Sequence, residues 1–168
     1  LITLEMGKTI RESRAEVSKC VQMIRYYTAH GEEILRSTEV QTQAYASRVN
    51  YAPLGAIFAI MPWNFPLWQA LRFAVPTMLA GNTVLLKPAP NVCGSALALQ
   101  DLMNEAGLDG VYQTILIDIP AIESVIANPA VHGVTLTGSN RAGASVAALA
   151  GKYVKKSVLE LGGSDPFV

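Results

Sequence analysis

From Pro53-Leu54-Gly55 onward, strand-like apolar runs alternate with helix-like runs. No other feature of the sequence constrains the fold as much. Strands are expected at 56–61, 83–87, 112–117, 133–137 and 157–161, separated by helices at 66–80, 92–106, 120–127 and 140–153. Several of the strand runs are continuously apolar, the pattern of a strand covered on both faces. Alternating β and α segments with short punctuation predict an α/β fold on a doubly wound, mostly parallel sheet. Ligands of such sheets lie outside the carboxyl ends of the strands, so the residues just after each strand are the ones to question.

The segment before this alternation reads differently. Leu1 to Met6 looks like the end of a helix, with Gly7 free to take the left-handed position that closes it. Thr9 and Glu12 have capping-box spacing. From there Ile10, Val17, Cys20, Val21, Ile24 and Tyr27 recur at helical spacing to about Leu35, with Arg11, Arg14, Glu16 and Lys19 assigned to the wet face. Residues 43–51 alternate in β fashion, which suggests an exposed strand that invites pairing with another chain.

Composition excludes several classes. Thirteen basic residues balance thirteen acidic ones, so the positive field of a nucleic-acid binder is missing. Apolar residues make up 51% of the chain, too many for disorder, and no apolar run approaches the roughly 18 residues of a membrane span. Cys20 and Cys93 lack the spacing of a metal or disulfide site and read as reduced, packed thiols of a cytoplasmic protein. No signal peptide is visible. The chain begins without Met and runs into an apolar stretch at its end, so it is read as a fragment.

Five strand-end features carry chemistry. The first strand ends in Pro62-Trp63-Asn64-Phe65-Pro66, where Asn64 reads either as a helix cap or as an amide donor to an oxyanion. Lys87 closes a very apolar strand, either snorkelling to solvent or holding ribose hydroxyls or phosphate. Thr137-Gly138-Ser139 opens a helix and offers free N–H groups to a pyrophosphate, although no GxGxxG is present. Glu160 before Leu161-Gly162-Gly163 reads as an edge charge or a general base. Finally, Trp68 and Arg72 follow Asn64 by four and eight residues, along one helix face rising about 12 Å. Arg72 there suits the distal carboxylate of a short substrate, or else a buried structural ion pair.

Taken together, Glu5-Met6-Gly7-Lys8, Pro62 to Pro66, Thr137-Gly138-Ser139 and Glu160-Leu161-Gly162-Gly163 resemble the aldehyde dehydrogenase superfamily, over essentially the whole chain. The strings Ile60 to Trp68 and Glu160 to Phe167 look closest to its bacterial succinate-semialdehyde dehydrogenases. The resemblance implies a Rossmann-like domain over 55–163, a helical part of that domain over 1–42, an oligomerisation ribbon over 43–54, and the start of a catalytic domain at 164–168. It implies Asn64 and Glu160 as catalytic, with NAD or NADP held by Ile60, Met61, Trp63, Asn64, Lys87, Gly138, Ser139, Leu161 and Gly162. It also implies Trp68 and Arg72 at the substrate, a homo-oligomer, and no metal. The family's nucleophilic Cys lies beyond Glu-Leu-Gly-Gly, where this sequence has stopped, so the fragment alone is expected to be inactive. Pro90 replaces a Glu that many NAD-preferring members carry, and Ile117-Asp118-Ile119-Pro120 replaces a stretch where a glycine is usual. A non-catalytic nucleotide-binding or self-associating module, and an enzyme for neutral aldehydes, are the competing readings.

Overall fold

A computed structural model describes residues 1–164 and 166–167. The expected start of a further domain at 164–168 falls partly on Asp165 and Val168, which lie outside the described residues. Helices α1 (Ile2–Met6) and α2 (Ile10–Ile34) are followed by a short hairpin, β1 (Thr38–Glu39) and β2 (Arg48–Val49). The remainder is β3 (Ala56–Ile60), α3 (Pro66–Leu79), β4 (Thr83–Lys87), α4 (Cys93–Glu105), β5 (Tyr112–Thr114), α5 (Ile122–Ala127), β6 (Val131–Gly138), α6 (Asn140–Lys152) and β7 (Lys156–Leu161).

The five long-chain strands form one parallel sheet in the order β5-β4-β3-β6-β7. The chain first works outward from β3 to β5, then crosses back to β6 and works outward the other way. The strand order therefore reverses between β3 and β6, the switch point at whose carboxyl ends sheets of this kind form their ligand crevice. Register pairs Ile60 with Leu136, so the segments after Ile60 and after Gly138 leave the sheet side by side.

Side-chain alternation sends each strand into two cores. Ala59 and Met61, Val84 and Leu86, and Tyr112 face α2, α3 and α4. Phe58, Val134 and Leu136 face α5 and α6. Phe58 is fully buried, a side chain whose burial is worth about 1.5–3 kcal/mol. Gly143 lets α6 close on β7, because a Cβ there would stand 2.4 Å from a Leu161 methyl.

Four expectations need correction. The buried face of α2 runs through Ser13, Glu16, Cys20 and Gly31, while Ile10, Val17, Val21 and Ile24 are exposed on this chain. Small side chains let α2 approach α3 closely; a Cβ at Gly31 would collide with Leu79. Glu16 is thus not on the wet face. The alternating stretch 43–51 is strand only at Arg48–Val49, paired with Thr38–Glu39, and residues 43–45 form the bend between them. The strand expected at 112–117 stops at Thr114: Ile115 still donates to Leu86 O at 2.8 Å, but the next ladder bond would need an N–H from Pro88. Residues 119–121 form a single turn of 3₁₀ helix ahead of α5.

Candidate active site

The Pro62–Pro66 loop joins β3 to α3, and Pro66 occupies the first helical position. Phe65 is the N-cap residue and supplies no capping side chain. Asn64 is not the cap either. Its Oδ1 accepts the Phe65 amide at 3.1 Å, which leaves its NH2 group without a protein acceptor among the described residues. The cap is Glu16, from α2. Its Oε1 accepts the amides of Leu67 at 2.9 Å and Trp68 at 3.0 Å, and Lys8 donates to its Oε2 at 2.6 Å.

A second carboxylate does the same for α4, whose N-cap residue Val92 also lacks a capping group. Glu5 accepts the amides of Gly94 at 2.7 Å and Ser95 at 2.8 Å, and the Ser95 hydroxyl at 2.5 Å. Gly94 admits it, since a Cβ would lie 2.8 Å from Glu5 Oε1. Partial burial opposes ionisation of Glu5, but the Ser95 hydroxyl and the two amides outweigh it and hold the carboxyl below its ordinary range. The sequence motif Glu5 to Lys8 is therefore architectural. The N-cap residues of these two helices, Phe65 and Val92, carry no capping oxygen even though Asn64 and Asn91 precede them, so the orphan amides find an anion elsewhere.

Helix α6 differs. Ser139 caps it in the ordinary way, accepting the Ala142 amide at 3.2 Å, and among the described residues no carboxylate bonds to its first turn. Gly138 ends β6 beside it. Across the crevice Ile60 and Met61 are half-buried and buried, and Trp63 is exposed. Lys87 ends β4 only 6% exposed. Of its three N–H donors one reaches Pro88 O at 3.2 Å, so it does not snorkel into solvent. A buried, under-partnered ammonium and an open helix N-terminus flanking one crevice form a donor set that fits the hydroxyls and phosphates of a dinucleotide.

Arg72 lies two turns into α3 and forms an ion pair with Glu160 of β7; it also donates to Gln69 Oε1 at 2.9 Å. Both charged side chains are partly exposed at the sheet's carboxyl edge. The structure thus brings Arg72 to a carboxylate. Trp68 is half-buried, with Lys19 Nζ 3.9 Å from its ring centroid. Leu161 packs toward Gly143, and Gly162 is exposed.

Cys20 lies buried between α2 and the sheet, and Cys93 is the first residue of α4. Burial, and next the Glu16 carboxylate, push the Cys20 thiol up to about 11. Cys93 Sγ donates to Pro90 O at 3.3 Å. Among the described residues no group of three His, Cys, Asp or Glu side chains is placed to hold a metal ion, and no helix is long and apolar enough to cross a membrane.

A parallel sheet whose strand order reverses in this way, with helices on both faces, defines a doubly wound α/β fold. The chain belongs to the aldehyde dehydrogenase family, whose model matches residues 1–168. It is 51% identical over 169 residues to the succinate-semialdehyde dehydrogenase [NADP(+)] of Deinococcus radiodurans, covering 100% of this chain and 35% of that protein. It is 48% identical over 172 residues to the protein of that name from Mycobacterium avium, covering 100% and 36%. Among solved structures, the succinic semialdehyde dehydrogenase of Streptococcus pyogenes in complex with NADP+ superposes with a TM-score of 0.94. It is 40% identical, over 98% of this chain and 36% of that one. The apo betaine aldehyde dehydrogenase of Staphylococcus aureus superposes at 0.89 with 27% identity, over 98% and 34%. The chain spans about a third of the length of these relatives.

Proposed function

We propose that this chain forms the nucleotide-binding part of an NAD(P)-dependent aldehyde dehydrogenase that oxidises succinate semialdehyde in the cytoplasm. One observation carries the reading: the Asn64 loop, Lys87, the Gly138-Ser139 turn and the Arg72–Glu160 pair all stand at the carboxyl edge of one parallel sheet. Lys87, Gly138 and Ser139 would hold ribose and pyrophosphate, with Ile60, Met61, Trp63, Leu161 and Gly162 along the crevice. When bound, the nicotinamide supplies hydride acceptance. Asn64 contributes the free NH2 group that donates to the oxyanion formed when a thiolate adds to the aldehyde. Glu160 accepts the proton of the attacking thiol or water. Pro90 places no carboxylate against a 2′-phosphate, which removes a bar to NADP.

Arg72 is the specificity residue. In this chain the guanidinium is paired with Glu160. In the specificity role it exchanges that partner for the distal carboxylate of the substrate, which it matches bidentately, and the exchange frees Glu160 to act as base. Neither Cys20 nor Cys93 supplies the thiolate, so the 168 residues alone bind nucleotide without turnover.

Titration of the chain with NAD and NADP tests the first part; absence of binding at millimolar nucleotide would overturn it. The second part needs an active enzyme carrying this chain, for instance a chimera in which it replaces the matching third of the Deinococcus relative. There Arg72→Leu should raise KM for succinate semialdehyde by about 10–100-fold, the weight of a charged hydrogen-bonded contact. An uncharged aldehyde should be barely affected. Equal effects on both would favour an enzyme for neutral aldehydes.

The exposed hairpin supports a self-association role for residues 43–54: Tyr45, Val49, Tyr51 and Leu54 all face solvent. Tyr45→Asp with Val49→Asp should lower the oligomeric mass measured by light scattering.

A further inference from the structure

Lys8 and Glu16 lie outside the crevice, yet they grip the loop that carries Asn64. Glu16 is fully buried and Lys8 nearly so, with side-chain exposures of 0% and 9%. The Glu16 carboxylate pins the Leu67 and Trp68 amides, fixing where α3 begins. Lys8 Nζ sits 2.6 Å from that carboxylate and 3.8 Å from the centroid of the Phe65 ring. Phe65 is the residue next to Asn64, and its amide is the one the Asn64 side chain accepts. A single buried ion pair thus holds the loop on its downstream side, once through backbone and once through a ring face.

Lys8 is itself tightly placed. Gly7 adopts φ 85° to end α1, Lys8 N donates to Met6 Sδ at 3.3 Å, and the Thr9–Glu12 capping box starts α2 immediately afterwards. Burying such a pair gains little stability over an apolar pair of the same shape. What it offers is fixed geometry. An amide donor aimed at a developing charge works only within about 0.5 Å of its productive position, and the Asn64 side chain, being exposed, has little packing of its own to hold it.

We infer that Lys8 and Glu16 are positioning residues for Asn64, acting through Phe65 and the first turn of α3. This inference rests on the oxyanion role proposed for Asn64, and the test separates the two. The neutral pair Lys8→Met with Glu16→Gln keeps the shape and an acceptor for the two amides while removing both charges. In the active enzyme, its kcat should fall by about 10²-fold, the scale of a misplacement near 1 Å, a larger change than in nucleotide affinity or aldehyde KM. In an Asn64→Ala background the same pair should cause no further loss, because residues acting as one unit are not additive.

Two outcomes overturn the positioning role: kcat preserved in the double variant, or an equal fall with and without Asn64. If instead Asn64→Ala itself leaves kcat intact, the oxyanion assignment fails. Amide NMR of the 168-residue chain then decides the positioning role without catalysis. One sharp pair of Asn64 side-chain resonances, broadened or doubled in the variant, sustains it. Unchanged resonances overturn it. The single variant Glu16→Gln covers the case in which the double variant does not fold.

Discussion

Helices α3 and α4 on one side of the sheet and α6 on the other all begin at its carboxyl edge, yet their first turns are satisfied differently. Glu16 and Glu5 reach in from the N-terminal helices and occupy the amides of α3 and α4. At α6 a serine hydroxyl takes one amide and leaves the rest of the turn open. A helix N-terminus attracts anions through its orphan N–H groups and its dipole. By filling two such ends with its own carboxylates, the chain leaves the first turn of α6 more open to an outside anion than those of α3 and α4. The lesson concerns selectivity: a sheet with several helix starts directs a phosphate to one of them by occupying the others.

The contrast can be broken at each end. Glu16→Ala should do most damage, about 3–5 kcal/mol of unfolding free energy, because it bares the α3 turn and strands the buried Lys8 ammonium. Urea unfolding measures it, and a loss below about 1 kcal/mol would mean that solvent serves α3 as well as the carboxylate does. Glu5→Ala should cost about 1–2 kcal/mol, the value of a good cap.

The Glu5 contribution should also depend on pH with a definite sign. Its folded carboxyl ionises more readily than an unfolded one, so its stabilisation is full above the ordinary carboxylate value of about 4.3. It fades as pH falls through the lower folded value. The stability gap between the unmodified chain and Glu5→Gln should therefore close on acidification; a gap that widened would reverse the assignment. Ser139→Ala should cost least, about 0.5–1 kcal/mol. Alongside it, inorganic phosphate followed by amide NMR should move Asn140 and Arg141 while leaving Leu67, Trp68, Gly94 and Ser95 in place. Movement at all three helix starts would dissolve the distinction.

Much of this was legible from sequence, because the relevant signals are local. Continuous apolar runs between prolines and glycines mark β3 and β4, and Thr9 with Glu12 forms the capping box its spacing announces. The strand ends carry the candidate site because a parallel sheet puts all its carboxyl ends on one edge. The partners that cross the fold were not legible. Glu16 reads as one more charge on a helix, since the groups it serves are backbone amides in α3 that leave no mark in the sequence. Arg72 and Glu160 meet only because β7 is laid down two strands from β3. The β5 run is apolar to Ile117 but loses its ladder at Pro88, in a different strand.

The central position of β3 has a consequence for biosynthesis. A nascent chain that has emerged as far as Glu105 already owns α2, α3 and α4 and can roof one face of β3 and β4. The opposite face, with Phe58 and Leu85 on it, has nothing to rest against until Ile122 through Ala150 follow. Ribosome stalling inside that interval would release a sheet greasy on one side and bare along the flank reserved for β6, a species suited to chaperone capture or clumping.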